Sequence, residues 1–86
     1  METFALITGA SGAIGGALAE RFAAEGYSLY LHYNRNEEIA LALQKRLLEA
    51  YPGRTVKRVH ADFSNPDHVP RFLEQVDHPF QVIVHN

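Results

Sequence analysis

Apolar and polar positions fall in blocks along this chain, and the period switches repeatedly between two values. Phe4-Ala5-Leu6-Ile7 is an unbroken apolar run. A short run of this kind, bounded by turn residues, reads as a strand buried on both faces, so a strand is predicted over residues 3–8. From Ala13 the spacing becomes helical. Ala13, Ile14, Ala17, Leu18, Phe22 and Ala23 fall on one face, and Gly26 ends a helix predicted over residues 13–25. Ser28–Tyr33 reads as a second strand. Asn36 is placed to cap a second helix, with Glu37 and Glu38 at its positive end and Lys45 and Arg46 toward its negative end. Its apolar stripe is Ile39, Leu43, Leu47 and Ala50, and Pro52-Gly53 stops it.

Residues 55–60 form a third strand in this reading. Val56 and Val59 give it apolar character, while Lys57 and Arg58 place it near a sheet edge. Ser64-Asn65-Pro66 opens a third helix with Pro66 at its first position and an apolar face of Val69, Phe72, Leu73 and Val76. Pro70 removes one donor near its start. Residues 80–85 form a fourth strand. The order is β-α-β-α-β-α-β, which predicts an α/β fold with a doubly wound parallel sheet. The expected strand order is 3-2-1-4, with a ligand at the switch point beside strands 1 and 4. Gln81-Val82-Ile83-Val84 reads as a central strand, apolar on both faces, which needs a neighbour on each side. The expectation is therefore that residues 1–86 are the N-terminal part of a longer protein, with an apolar edge prone to self-association.

Composition narrows the classes. The chain has 86 residues, 47% hydrophobic and 21% charged, with a net charge of −2. That is one ordinary globular domain without the basic surface that binds nucleic acid. No apolar run approaches the roughly 18 residues of a membrane span. The first strand begins too close to Met1 for a signal peptide, so a cytoplasmic location is expected. There are no cysteines, hence no disulfide framework or thiolate chemistry. His32, His60, His68, His78 and His85 lack metal-site spacing and read as surface or strand-end residues.

The candidate chemistry lies in Thr8-Gly9-Ala10-Ser11-Gly12-Ala13-Ile14-Gly15, between the first strand and the first helix. Four of the six glycines of the chain, Gly9, Gly12, Gly15 and Gly16, lie in or beside it. A strand, a glycine-rich turn and a helix N-terminus in that order make an anion site. The first amides of the helix have no internal partner, and the helix dipole adds positive potential. The dinucleotide fingerprint G-x-G-x-x-G is not met, because Ser11 stands at its second glycine.

The segment resembles the cofactor loop of the short-chain dehydrogenase/reductase family, a family with the Rossmann fold. The classical branch reads T-G-x-x-x-G-x-G, which Ala13 breaks at one glycine. The extended branch reads T-G-x-x-G-x-x-G, which fits as written. The resemblance implies that Gly9, Ser11, Gly12, Ala13, Ile14 and Gly15 cradle a nicotinamide dinucleotide. NAD enzymes carry an acid about twenty residues past the loop, for the ribose hydroxyls. Here Asn34 occupies that slot and Arg35 follows it. A neutral residue does not repel a 2′-phosphate and a guanidinium can fork onto it, so NADP(H) is the expected cofactor. Gly12 stands where many NADP-using relatives have a basic residue. Glu37, the nearest acid, reads as a partner of the helix dipole.

Ala61-Asp62-Phe63-Ser64 is similar to the family's adenine-site segment. The resemblance implies that Asp62 meets the adenine amino group and the Phe63 backbone N–H meets the ring. An Asp after a strand is also an ordinary turn residue. His85-Asn86 matches the start of the family's N-N-A-G turn, which puts Asn86 on the adenosine-ribose side. Family members reduce a carbonyl by hydride transfer, with a tyrosine as proton donor, a lysine four residues on and an orienting serine. The tyrosines here, Tyr27, Tyr30, Tyr33 and Tyr51, are followed at that spacing by Leu31, Asn34, Glu37 and Thr55. No catalytic residue is assigned, and the 86 residues alone are expected to be inactive.

For the longer protein the resemblance implies an NADPH-dependent reductase of a small-molecule or carrier-bound carbonyl, forming a dimer or tetramer. It would be similar to 3-oxoacyl-carrier-protein reductases, or to reductases acting on 5-aminopentanone-modified elongation factor P. An extended-branch sugar-nucleotide epimerase or dehydratase, and a non-catalytic NADP sensor, are the other readings.

Overall fold

The computed structural model describes residues 2–77 and 79–84. Seven elements alternate along the chain: β1 (Phe4–Ile7), α1 (Ala13–Ala24), β2 (Ser28–Tyr33), α2 (Glu37–Ala50), β3 (Val56–His60), α3 (His68–Gln75) and β4 (Phe80–Val84). The strands form one sheet in the order β3-β2-β1-β4, as the sequence predicts, and every pair is parallel.

Position in the sheet explains the residue pattern of each strand. β1 and β2 are flanked on both sides, and every residue of both is buried. β3 is outermost, and Lys57 and Arg58 are half-buried there between the buried Val56 and Val59. β4 lies at the other end of the sheet. Its Phe80, Val82 and Val84 are half-buried, while Ile83 is 60% exposed.

The pleat divides the core in two. Ala5, Ile7, Leu29, Leu31 and Val56 pack on one face beneath Ala19 and Ala23 of α1 and Leu43 and Leu47 of α2. Phe4, Leu6, Tyr30 and Val59 pack on the other face with Ala61 and Phe72 of α3. Thus α1 and α2 cover one side of the sheet and α3 covers the opposite side. The change of side falls between β1 and β4.

Each of the three helices departs from the sequence reading in its details. In α1 the buried residues are Gly15, Ala19 and Ala23, while Ile14 is 67% exposed and Ala13 and Ala17 are exposed. Nearly every position of this segment is apolar or glycine, so periodicity did not single out a face. Small residues let the helix backbone approach the sheet closely, and they turn inward.

In α2 the buried stripe is Ala40, Leu43 and Leu47, with Ile39 and Ala50 exposed. Asn36 does not cap through its side chain. It adopts a left-handed conformation (φ 61°, ψ 52°), and its carbonyl accepts from the amides of Ile39 and Ala40 at 3.1 and 3.2 Å. Asn tolerates this region better than most residues. Glu37 and Glu38 occupy the first turn as expected, but Lys45 and Arg46 fall short of the last turn, which holds no basic residue.

α3 begins at His68, not at Pro66, because residues 62–68 close a series of turns. Asn65 N–H donates to the Asp62 carbonyl, and His68 N–H to the Asn65 carbonyl, each at 3.0 Å. Pro70 then sits in the first turn, where its missing donor removes no intrahelical bond. Only Phe72 of α3 is buried; Val76 is half-buried, and Val69 and Leu73 are exposed.

Candidate functional site

β1 carries the chain out at the C-terminal edge of the sheet, between β2 and β4. The Thr8 amide and hydroxyl both donate to the Val84 carbonyl, at 3.0 and 3.2 Å. Gly9 then turns the chain with φ 63°, a conformation that glycine adopts without steric cost. The Ala10 amide donates to the His32 carbonyl at 2.9 Å, and the Gly12 amide closes the turn on the Gly9 carbonyl at 3.1 Å.

Gly12 is the N-cap of α1 and makes no side-chain cap. The Gly16 amide reaches back to the Gly12 carbonyl at 2.9 Å. The amides of the turn before it have no acceptor within the helix. No acidic residue lies in that turn. These donors, together with the helix dipole, suit an anion. Ser11 is half-buried and Gly12, Ala13 and Ile14 are exposed, so this part of the loop is open to a ligand. Gly15 is buried and serves helix–sheet packing. A groove of about 700 Å³ runs from Ser11 and Gly12 between α1 and α2, toward Glu20 and Arg46.

At the end of β2, Asn34 and Arg35 are both exposed. The Asn34 carbonyl accepts from His60 Nε2 at 3.1 Å. The nearest acid is already engaged. Glu37 accepts the Tyr33 hydroxyl at 2.8 Å, and Arg58 approaches the same carboxylate at 3.9 Å. Burial, and then the Glu37 carboxylate, push the Tyr33 phenol above its ordinary range.

After β3 the predicted adenine-side residues stand beside this edge. Asp62 Oδ1 accepts from the Ser64 hydroxyl at 2.6 Å and from its amide at 3.0 Å. These bonds hold the carboxyl below the usual carboxylate value, with smaller contributions from His68 and Arg35. Asp62 therefore acts as a turn residue through one oxygen. The Asp62 amide donates to His68 Nδ1 at 3.0 Å. Phe63 is 47% exposed, and its ring stacks on His32 at 4.4 Å between centroids. Asn86 and His85 lie outside the described residues.

His32 stands at the C-terminal end of β2, the strand-end place the sequence reading allows, but it is buried there. It is 6% exposed, not a surface group. The Gly9 amide donates to its Nδ1 at 3.2 Å, and its Nε2 lies 2.8 Å from the Ala61 carbonyl. A carbonyl only accepts, so the proton belongs on Nε2 and the ring is neutral. Burial pushes its pKa below the ordinary 6.5; the Ala61 bond opposes that shift and nearby His60 adds to it. The available signal was a single histidine inside Leu29-Tyr30-Leu31-His32-Tyr33, an otherwise buried strand.

Comparison with known proteins gives the family. Residues 3–86 match the family described as short chain dehydrogenase. The uncharacterized oxidoreductase YmfI of Bacillus subtilis (strain 168) is 40% identical over 86 residues, all of this chain and 35% of that protein. The L-sorbose reductase of Gluconobacter frateurii, solved in complex with NADPH and L-sorbose, has a TM-score of 0.87 at 31% identity, covering 99% of this chain and 33% of that one. YwfH, an NADPH dependent reductase involved in bacilysin biosynthesis, has a TM-score of 0.88 over 100% of this chain and 37% of its own; at 22% identity it shares the fold. The chain spans about a third of the length of these relatives.

Proposed function

The chain belongs to the short-chain dehydrogenase family, and we propose that it supplies the adenosine and pyrophosphate half of an NADP(H) site in a carbonyl reductase. The residues fit such a group. The uncapped first turn of α1 and the left-handed Gly9 form a cradle of backbone donors, with Ser11, Gly12, Ala13 and Ile14 along its rim. That cradle orients a pyrophosphate through hydrogen bonds and the helix dipole. Asp62 and Phe63 bound the adenine side, Asn34 and Arg35 the ribose side, and Asn86 completes the set proposed from the family pattern.

The observation that carries the choice of cofactor is the pairing at the end of β2. Arg35 is exposed there, while Glu37 is held by Tyr33 and Arg58. A guanidinium attracts a 2′-phosphate, and the neutral Asn34 before it does not repel one. The L-sorbose reductase, with its NADPH complex, supports the same preference.

Bound NADPH supplies the hydride for carbonyl reduction. None of the four tyrosines of this sequence has a lysine four residues on, so these 86 residues hold the cofactor's adenosine half without a proton donor. We read them as the N-terminal part of a Rossmann domain in a longer, cytoplasmic, homo-oligomeric protein. Its substrate would be a small-molecule or carrier-bound carbonyl, of the 3-oxoacyl-carrier-protein type or on a 5-aminopentanone-modified elongation factor P. The spacing Thr8-Gly9-x-x-Gly12-x-x-Gly15 favours one alternative, an extended-branch sugar-nucleotide epimerase or dehydratase. Fluorescence titration with NADPH and NADH separates the cofactor readings. Tighter NADPH binding is expected, and a preference for NADH would overturn the assignment.

A further inference from the structure

We propose that His32 is a positioning residue that ties the phosphate-binding loop to the adenine-side segment, and that it does so only as the neutral imidazole with its proton on Nε2. The proposal rests on the nucleotide-site reading above. Four contacts carry it. On the loop side, Nδ1 accepts the Gly9 amide at 3.2 Å, and the His32 carbonyl accepts the Ala10 amide at 2.9 Å. On the adenine side, Nε2–H donates to the Ala61 carbonyl at 2.8 Å, and the ring face stacks on Phe63 at 4.4 Å. Ala61 and Phe63 flank Asp62, so one buried side chain spans the two halves of the nucleotide cradle.

The two ring nitrogens have opposite duties. A proton added at Nδ1 turns an acceptor into a donor facing the Gly9 N–H, and that contact is lost. The Ala61 contact survives, because Nε2 still donates. Protonation therefore breaks the side-chain contact to the loop, while the Ala10 amide stays on the His32 carbonyl and the Ala61 contact remains.

The surroundings set where this happens. β1, β4 and residues 8–12 contain no ionisable side chain other than hydroxyls. β3 presents His60, whose charge opposes a second charge on His32. The segments after β2 and β3 carry Arg35 and Asp62, and α3 carries His68 and Arg71 beside His60. Burial is the largest effect and favours the neutral ring. The tie is therefore expected to persist at neutral pH and to open below the ordinary imidazole range.

Three variants separate the duties. His32→Asn places an amide oxygen near Nδ1 and keeps an acceptor for Gly9, but falls short of Ala61. His32→Gln reaches toward the Ala61 carbonyl with its amide N–H and leaves Gly9 without that acceptor. His32→Leu removes both. In the free protein, ring nitrogen shifts and Gly9 amide exchange are followed by NMR from about pH 8 down to the lowest pH at which the protein stays folded. NADP⁺ dissociation constants are measured over the same range.

The expected result is an Nε2–H ring at neutral pH and Gly9 amide protection, taken relative to the intrinsic exchange rate at each pH, that falls as the ring gains its second proton. NADP⁺ binding by the wild-type protein should weaken about tenfold across that titration. His32→Asn and His32→Gln each keep one of the two contacts, so both should bind NADP⁺ more weakly than the wild type at neutral pH, and neither should show that acid limb. The 2′-phosphate titrates in every variant, so the difference between wild type and His32→Asn is what counts. An identical acid limb in His32→Asn, or Gly9 exchange indifferent to the ring's titration, would overturn the proposal. If His32→Leu fails to fold, the Asn and Gln variants still decide it. Failure of the wild-type protein to bind NADP⁺ at any pH would instead overturn the nucleotide-site reading, while Gly9 exchange would still decide the loop tie.

Discussion

Tyr33 donates its hydroxyl to the Glu37 carboxylate at 2.8 Å. The bond joins the end of β2 to the first turn of α2 and spans the loop that carries Asn34, Arg35 and Asn36. It occupies one oxygen of Glu37, the nearest acid in sequence to Asn34 and Arg35, and Arg58 approaches the same oxygen from β3 at 3.9 Å. Arg35, by contrast, stays exposed. Two charges of opposite sign close together in sequence thus differ in surroundings, Glu37 joined to Tyr33 and Arg35 exposed beside Asp62.

The first prediction follows from that division. Arg35→Ala should weaken NADPH binding about tenfold or more, in line with the roughly 1.5–3 kcal/mol of a hydrogen bond to a charged group. NADH binding should change little. Parallel titrations of both cofactors check this, and equal losses for the two would show that Arg35 does not meet the 2′-phosphate.

Removing the hydroxyl tests the Tyr33–Glu37 half. Tyr33→Phe should cost about 1 kcal/mol in urea unfolding, the net contribution of a typical hydrogen bond. The pH dependence has a definite sign. The folded-state phenol is raised above its ordinary 10.0, so the protonated form is favoured by folding. The stability it gives is complete below that value and is lost as pH rises through the raised one. Tyr33→Phe should lack this alkaline decline, and an unchanged alkaline slope would assign it to another group.

A third prediction concerns α3. Phe72 is 7% exposed and sits against the second core cluster, while its neighbour Leu73 is 63% exposed. Phe72→Ala should destabilise the fold by about 3–5 kcal/mol, the usual cost of truncating a buried aromatic. Leu73→Ala should stay within about 0.5 kcal/mol. Chemical denaturation of both variants checks the orientation of the helix; comparable losses would mean that α3 buries both side chains.

The sheet was legible because strand burial writes itself into sequence. β1 and β2, flanked on both sides, are nearly continuous apolar runs, and Lys57 and Arg58 marked β3 as an edge. Helix orientation was less legible. The first turns of α1 are almost wholly small or apolar, so Ile14 looked like core and faces outward. The start of α3 depended on turn hydrogen bonds around Asp62 and Asn65, which pattern alone does not rank against a proline at the first helical position.

The glycine loop could be read from its spacing, since its geometry is local. His32 could not, because its meaning depends on contacts with Gly9, 23 positions away, and with Ala61, 29 positions away. The two sides of that contact meet only when β2 is placed between β1 and β3.

The central claim is that this edge of the sheet binds a nicotinamide dinucleotide through the loop and selects its 2′-phosphate through Arg35. Amide shift mapping of the protein with NADP⁺ and, separately, with NAD⁺ tests both parts at once and tolerates weak binding. The account predicts that both ligands shift residues 9–15 and 62–63, that only NADP⁺ strongly shifts Arg35, and that NADP⁺ binds about tenfold more tightly. Shifts that avoid residues 9–15, or equal affinity with no distinct response at Arg35, would contradict it.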